Sequence, residues 1–315
     1  MNLTDFGSYF VGGEAYASTA IEQEWHDNVS KTLAEDLSSG SFVAGQACIQ
    51  YFTPRLRNDF PPIVLVQSAG MSGTCWQNTP DQRKGWIHYL IERGFEVHVV
   101  ESAHIGCSDV NRYGRTEYST QRSAQEAWSF YRFGKAEHYA ARRCFARQLF
   151  PIEHLENFAR FFSPYSVNSK RQQTKTLIKL LEMLGKSIVI AHGEGADSSF
   201  EAACAVPDNL AGLLAIEPHT VSDRLEAMDK IPLVIVQGDY LDTDPEWVQR
   251  ATQWKTIVRH FNRQQHRAQI VNLPTHVGPG NSHFPMMDKN NEACLDKALL
   301  PLVAFLTGSN SAHYN

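Results

Sequence analysis

Short apolar runs rich in β-branched residues recur along the chain at Ala47–Phe52, Ile63–Gln67, Phe95–Val100, Ser187–Ala191, Gly212–Ile216, Leu233–Gln237 and Gln269–Leu273. Several are continuous rather than alternating, the pattern of strands buried on both faces. Amphipathic stretches separate them. Asp81–Arg93 places Trp86, Tyr89 and Leu90 on one side before Gly94, and Arg171–Leu184 carries a stripe of Leu177, Leu180, Leu181 and Leu184 before Gly185. A last stretch, Asn291–Leu306, ends near Gly308. Each reads as a helix closed by glycine. Strands alternating with helices predict an α/β fold with a mainly parallel sheet covered by helices on both faces. In such sheets ligands bind at the carboxyl ends of the strands.

Ser108–Ser169 breaks this rhythm. It holds no convincing core strand and is rich in aromatics, among them Trp128, Phe130, Tyr131 and Phe133, with Arg132, Arg142, Arg143 and Arg147 interspersed. So long a connection within an α/β domain is usually a functional insertion. It is expected to be a helical cap over the strand ends, spanning 108–169, with 1–107 and 170–315 forming the core domain. The plainer alternative is a helical excursion whose aromatics fill their own small core. Its arginines are expected on a solvated face. No internal repeat or low-complexity segment is present.

The chain has 315 residues, 43% of them hydrophobic, and a net charge of −5. That composition fits a globular protein and argues against a general nucleic-acid binder, which carries a basic excess. No apolar run is long enough to span a bilayer. The N-terminus lacks the basic and apolar regions of a secretory signal. The six cysteines are scattered singly with no C-x-x-C pair, which predicts reduced thiols and a cytoplasmic protein rather than a disulfide framework or zinc site. No metal-ligand motif, dinucleotide fingerprint or Walker sequence occurs, so no cofactor is expected. The expected partner is a moderately apolar small molecule. Assembly into a homo-oligomer is left open.

The chemistry gathers at strand ends. Strand 187–191 runs into Ala191-His192-Gly193-Glu194-Gly195, the setting of a G-x-S-x-G nucleophile elbow with glycine where the serine belongs. After the strand at 63–67 comes Ser68-Ala69-Gly70-Met71-Ser72-Gly73-Thr74-Cys75-Trp76. Small residues there let backbone N–H groups point into a site, and Ala69 and Gly70 are the expected oxyanion donors. The Glu194 N–H is expected to join them while its side chain points away. Ala215-Ile216-Glu217-Pro218 puts a carboxylate at the next strand end, where it can orient a histidine. Gly280-Asn281-Ser282-His283-Phe284 follows the last strand, where a hydrolase keeps its general base. The order elbow, acid, histidine favours His283 over His192, His219 and His276. Asp239 and Asp242 are the fallback acids. Trp76, Cys75, His192, Trp128 and Phe133 are the substrate-lining candidates, with Cys75 read first as a buried or lining thiol.

These motifs, with Gly7–Gly13, Thr79-Pro80-Asp81 through Trp86, and Glu101–Ser108, resemble the bacterial α/β-hydrolase esterases whose catalytic acid is a glutamate just after strand six. The resemblance covers most of the chain outside the cap. It implies an α/β-hydrolase fold, Glu217 as acid, His283 as base, and Ala69, Gly70 and the Glu194 N–H as oxyanion hole. Gly193 departs from that family's serine, Gln67-Ser68 from its common His-Gly pair, and Ala196 from a usual glycine. Loss of the serine removes most of the rate of acyl transfer. What remains supports acid/base chemistry by His283 and Glu217 on a carbonyl or ester-type small molecule: lyase, isomerase, cyclase or water-mediated hydrolase. The alternatives are a carboxylic-ester hydrolase inactivated by Ser-to-Gly replacement at 193, and a non-catalytic ligand-binding pseudo-hydrolase.

Overall fold

The computed structural model describes residues 2–18, 40–103, 118–119, 123–163, 165–166, 170–221, 224–263 and 267–308. Two long strands, β1 (Leu3–Ser18) and β2 (Gly40–Pro54), form an antiparallel pair. There follow β3 (Ile63–Val66), α1 (Trp86–Glu92), β4 (Val97–Glu101), β5 (Tyr118–Ser119), α2 (Ala124–Phe130), α3 (Leu155–Ala159) and β6 (Tyr165–Ser166). The second half comprises α4 (Lys170–Leu184), β7 (Ser187–His192), α5 (Glu194–Ala205), β8 (Leu210–Ile216), β9 (Leu233–Gln237), α6 (Pro245–Arg263), β10 (Ala268–Asn272), α7 (Leu273–His276) and α8 (Asn291–Thr307).

Eight strands make one sheet in the order β1-β2-β4-β3-β7-β8-β9-β10. From β4 to β10 every pairing is parallel, while β1 and β2 add an antiparallel edge. The period of two along each strand explains the continuous apolar runs. Ile63, Leu65, Ile188 and Ile190 pack on one face with α8 residues Leu295 and Leu299. Val64, Val66, Val189 and Ala191 pack on the other with Leu180 of α4, Phe200 of α5 and Trp254 of α6. Both faces are therefore core, as the sequence pattern predicts.

The main differences from the pattern have local causes. The helix expected from Asp81 starts only at Trp86, because Asp81 accepts hydrogen bonds from Thr79 Oγ1 (2.5 Å) and Arg83 Nε (2.6 Å) and holds a turn. Such polar turns compete with helical hydrogen bonding. The sequence pattern does not reveal strand β1, because its alternation is blurred by glycines and by the exposed Phe6 and Phe10. Helix α6 does carry a helical signal, with Trp247, Ala251, Trp254 and Phe261 buried on one face.

The segment between β4 and α4 adds no described strand to the main sheet. Strands β5 and β6 pair with each other, and residues 123–163 fold as short helical turns. The expected boundary at residue 108, and Cys107, lie outside the described residues.

Parallel pairing brings the ends of β3, β7, β8 and β9 to one edge, which places Ser68, Gly193, Glu217 and Gly238 side by side. Helix α6 braces this edge, since the buried Trp254 Nε1–H donates to the Pro218 carbonyl at 3.0 Å. Replacing Trp254 by Phe strands that carbonyl in the core. The expected loss is about 1–3 kcal/mol of stability, read as a lowered urea midpoint with the slope unchanged.

Candidate active site

Strand β7 ends at His192 and turns sharply through Gly193, whose backbone sits at φ 53°, ψ −124°. That conformation is strained for any residue with a side chain, yet it is the geometry of a strand-to-helix elbow. Helix α5 starts at once with Glu194. Gly195 allows the helix to approach the end of β3, because a Cβ there would lie 2.2 Å from the Gln67 carbonyl oxygen. The elbow expected from the sequence is thus present in the backbone, without a nucleophile at its apex.

Glu217 follows β8 at φ 45°, uncommon for a residue other than glycine. Its side chain has no solvent exposure. One carboxylate oxygen accepts from the Gly238 N–H at 2.7 Å and from Arg132 Nη2 at 2.5 Å, and the other accepts from His283 Nδ1 at 2.6 Å. Holding the His283 proton on Nδ1 makes Nε2 the nitrogen able to accept one. The fallback acids are placed elsewhere. Asp239 Oδ2 accepts from the Gly280 N–H at 2.9 Å, tying down the histidine loop, and Asp242 is exposed.

The loop carrying His283 is pinned from several sides. The buried Asp288 accepts from Ser282 N–H (2.8 Å), Ser282 Oγ (2.7 Å) and Asn281 Nδ2 (3.0 Å). Burial pushes its pKa up to about 7. His192 Nε2–H donates to the His283 carbonyl at 2.9 Å. Burial, then the neighbouring His283, push the His192 pKa well down, so the ring stays neutral. Its place is beneath the histidine loop. The His283 ring lies parallel to Tyr131, with centroids 5.5 Å apart, and Trp247 packs 5.0 Å away.

The other expected residues fall into two groups. Neither Ala69 nor Gly70 donates its N–H to another described residue, and both adjoin the elbow through Ser68. Trp76 is fully buried against Trp86, and Cys75 lies in the same core cluster. Burial, then Glu101, push the Cys75 thiol well up, which disfavours a reactive thiolate. Trp128 and Phe133 pack with Tyr139, Phe150 and Phe158 inside residues 123–163, one layer behind Tyr131.

Two expectations need correction. Arg132 is not part of a solvated arginine face but is fully buried, with its guanidinium bonded to Glu217 and to the Asp239 carbonyl (2.7 Å). The Glu194 side chain does not point away. Its Oε2 accepts from Ser68 Oγ at 3.3 Å, and its Oε1 lies 3.5 Å from His219 Nδ1. The half-buried first-turn glutamate thus folds back over the elbow toward Ser68 and His219. Tyr131, Trp247 and His219 also belong to this surround. His219 had a weak sequence signal, two residues beyond Glu217, whereas Arg132 had none.

Removing Arg132 leaves a buried carboxylate short of a charged partner. Arg132→Met is expected to cost about 3–5 kcal/mol by chemical denaturation. Arg132→Lys is not expected to rescue it, since the ammonium lacks the planar fork that reaches Glu217 and the Asp239 carbonyl together.

No family model matches the chain. A curated fungal protein (strain ATCC 74256) named "Probable secreted lipase phiG" is 20% identical over 211 residues, 62% of this chain and 57% of that protein. The match therefore spans little more than half of the relative's length. The solved structure of a bacterial esterase, described as novel and determined at atomic resolution, superposes with a TM-score of 0.85 at 22% identity. The superposition covers 99% of this chain and 97% of that one. With the sheet order, the elbow and the strand-end acid already in place, the chain has the α/β-hydrolase fold.

Proposed function

We propose that the protein is an enzyme acting on a moderately apolar ester or related carbonyl compound, with His283 as general acid/base and Glu217 as the group that orients it. The observation carrying this reading is the buried His283–Glu217 bond of 2.6 Å, with the second Glu217 oxygen held by Arg132 and Gly238. A pure binding protein has no chemical use for such a pair. The names of the similar proteins, esterase and lipase, favour ester hydrolysis over lyase or isomerase chemistry. Ala69, Gly70 and the Glu194 N–H are the donors for a developing oxyanion. Residues 123–163 act as the cap, since Tyr131 and Arg132 reach His283 and Glu217 from that segment.

The space beside Gly193 is shared with Ser68. A Cβ there would lie 2.6 Å from Ser68 Oγ and 3.1 Å from Ser68 Cβ. The space of the missing side chain is thus partly taken.

The scattered cysteines are read as reduced thiols of a cytoplasmic protein, although the fungal relative is named as secreted. Among the described residues no helix is long and apolar enough to cross a membrane.

On nitrophenyl esters of graded acyl length, His283→Ala is expected to lower kcat by about 10²–10⁴-fold, with the fold intact by circular dichroism. Equal turnover by wild type and His283→Ala overturns the reading. Gly193→Ser alone is expected to gain little ester turnover, because Ser68 must give way. The comparison with wild type is by kcat/KM in the same assay.

A further inference from the structure

Ser68 enters the elbow from the end of β3 and is 6% exposed. Its hydroxyl lies 2.6 Å from the point where a Cβ on Gly193 would stand, and His219 Nε2 lies 3.5 Å from the same point. Both polar atoms therefore border the point a Gly193 side chain would occupy, with no hydrogen bond joining them. His219 Nε2 is buried and has no hydrogen-bond partner among the described residues. The opposite nitrogen, Nδ1, lies 3.5 Å from Glu194 Oε1, and Glu194 Oε2 accepts from Ser68 Oγ at 3.3 Å. The His219 main chain is fixed by a 3.1 Å bond from its N–H to Asp197 Oδ1. Hydroxyl, imidazole and carboxylate thus stand together at the elbow, drawn from three strand ends. They form a second set beside His283 and Glu217, with the His219 and His283 ring centroids 5.7 Å apart.

We infer that Ser68 is the covalent nucleophile, with His219 as its base and Glu194 as the carboxylate that orients His219. The inference rests on the ester-processing reading above and adds the residue that carries the acyl group. Ser68 Oγ passes its proton to His219 Nε2 and bonds to the acyl carbon. The bond from that carbon to the alcohol oxygen breaks, and the alkoxide takes the proton from His219. A water activated by His283 then attacks the acyl-Ser68 ester. The carbon–Oγ bond breaks, the acid leaves, and the proton returns to Ser68. The Glu194 N–H, 3.4 Å from Ser68 Oγ, and the start of α5 favour negative charge forming at this spot. A serine so placed also satisfies the N-terminus of α5, whose N-cap Gly193 has no side chain, and that purely structural role is the competing explanation.

Reaction with an alkyl fluorophosphonate separates the two, because a helix cap forms no adduct. In the reaction the Oγ–phosphorus bond forms, fluoride leaves and His219 takes the proton. Fragment mass spectra of the intact wild-type protein after labelling are expected to place the adduct on Ser68. Ser68→Ala is expected to abolish it, and His219→Asn to slow labelling by about 10²-fold or more. His283→Ala is expected to label nearly as fast as wild type while losing ester turnover, since it acts on the water. No adduct on Ser68 in folded wild type, or an adduct on another residue, overturns the inference. Ester turnover that survives Ser68→Ala but still needs His283 also overturns it and leaves the ester-processing reading standing, with water as direct nucleophile. Absence of both labelling and His283-dependent turnover defeats the two together.

Discussion

The buried carboxylate of Glu217 is the constraint on which the rest of the site depends. An ionised group without solvent is costly unless it is paired and hydrogen-bonded. Here its partners come from three separate places: Arg132 after α2, the Gly238 N–H after β9, and His283 in the loop before α8. None of these can move without stranding a charge. The inserted segment, the sheet edge and the histidine loop are therefore fastened at a single point. That fastening also explains why Glu217 tolerates a positive φ, because three directional contacts outweigh a local backbone cost of order 1–3 kcal/mol.

Around this point the packing is aromatic. Tyr131 lies flat along His283, while the Arg132 and Arg250 guanidiniums each lie 4.5 Å from the Trp247 ring centroid. Trp247 is itself fixed by its Nε1–H donating to the Phe130 carbonyl at 3.1 Å. Such a shell keeps water from the Arg132–Glu217 pair and strengthens its electrostatics. It also holds the imidazole ring in one orientation.

The elbow keeps its backbone geometry with glycine at its apex. Gly193 retains the strained turn, and Gly195 still lets α5 press against the Gln67 carbonyl. What differs is the occupant of the apex, which is now a hydroxyl from the neighbouring strand end. Adjacent strand ends of a parallel sheet lie within a few ångströms of one another, so side chains from two of them can share one point.

The sequence by itself determined the scaffold. Runs such as Ile63–Val66 and Ser187–His192 are apolar at every position because both faces of a parallel sheet are covered, and local periodicity records that directly. The turn after β7, the acid after β8 and the histidine after the last strand were legible for the same reason, since each is defined by its place at a strand end. Edges and insertions were less so: β1 hides its alternation behind Phe6 and Phe10 exposed on its surface. Only the tertiary structure decided what surrounds His283 and Glu217. Arg132 meets Glu217 across 85 residues, and Ser68 meets Glu194 across 126. No local pattern encodes such contacts, because they arise when the sheet order brings distant strand ends together and the inserted segment folds over them.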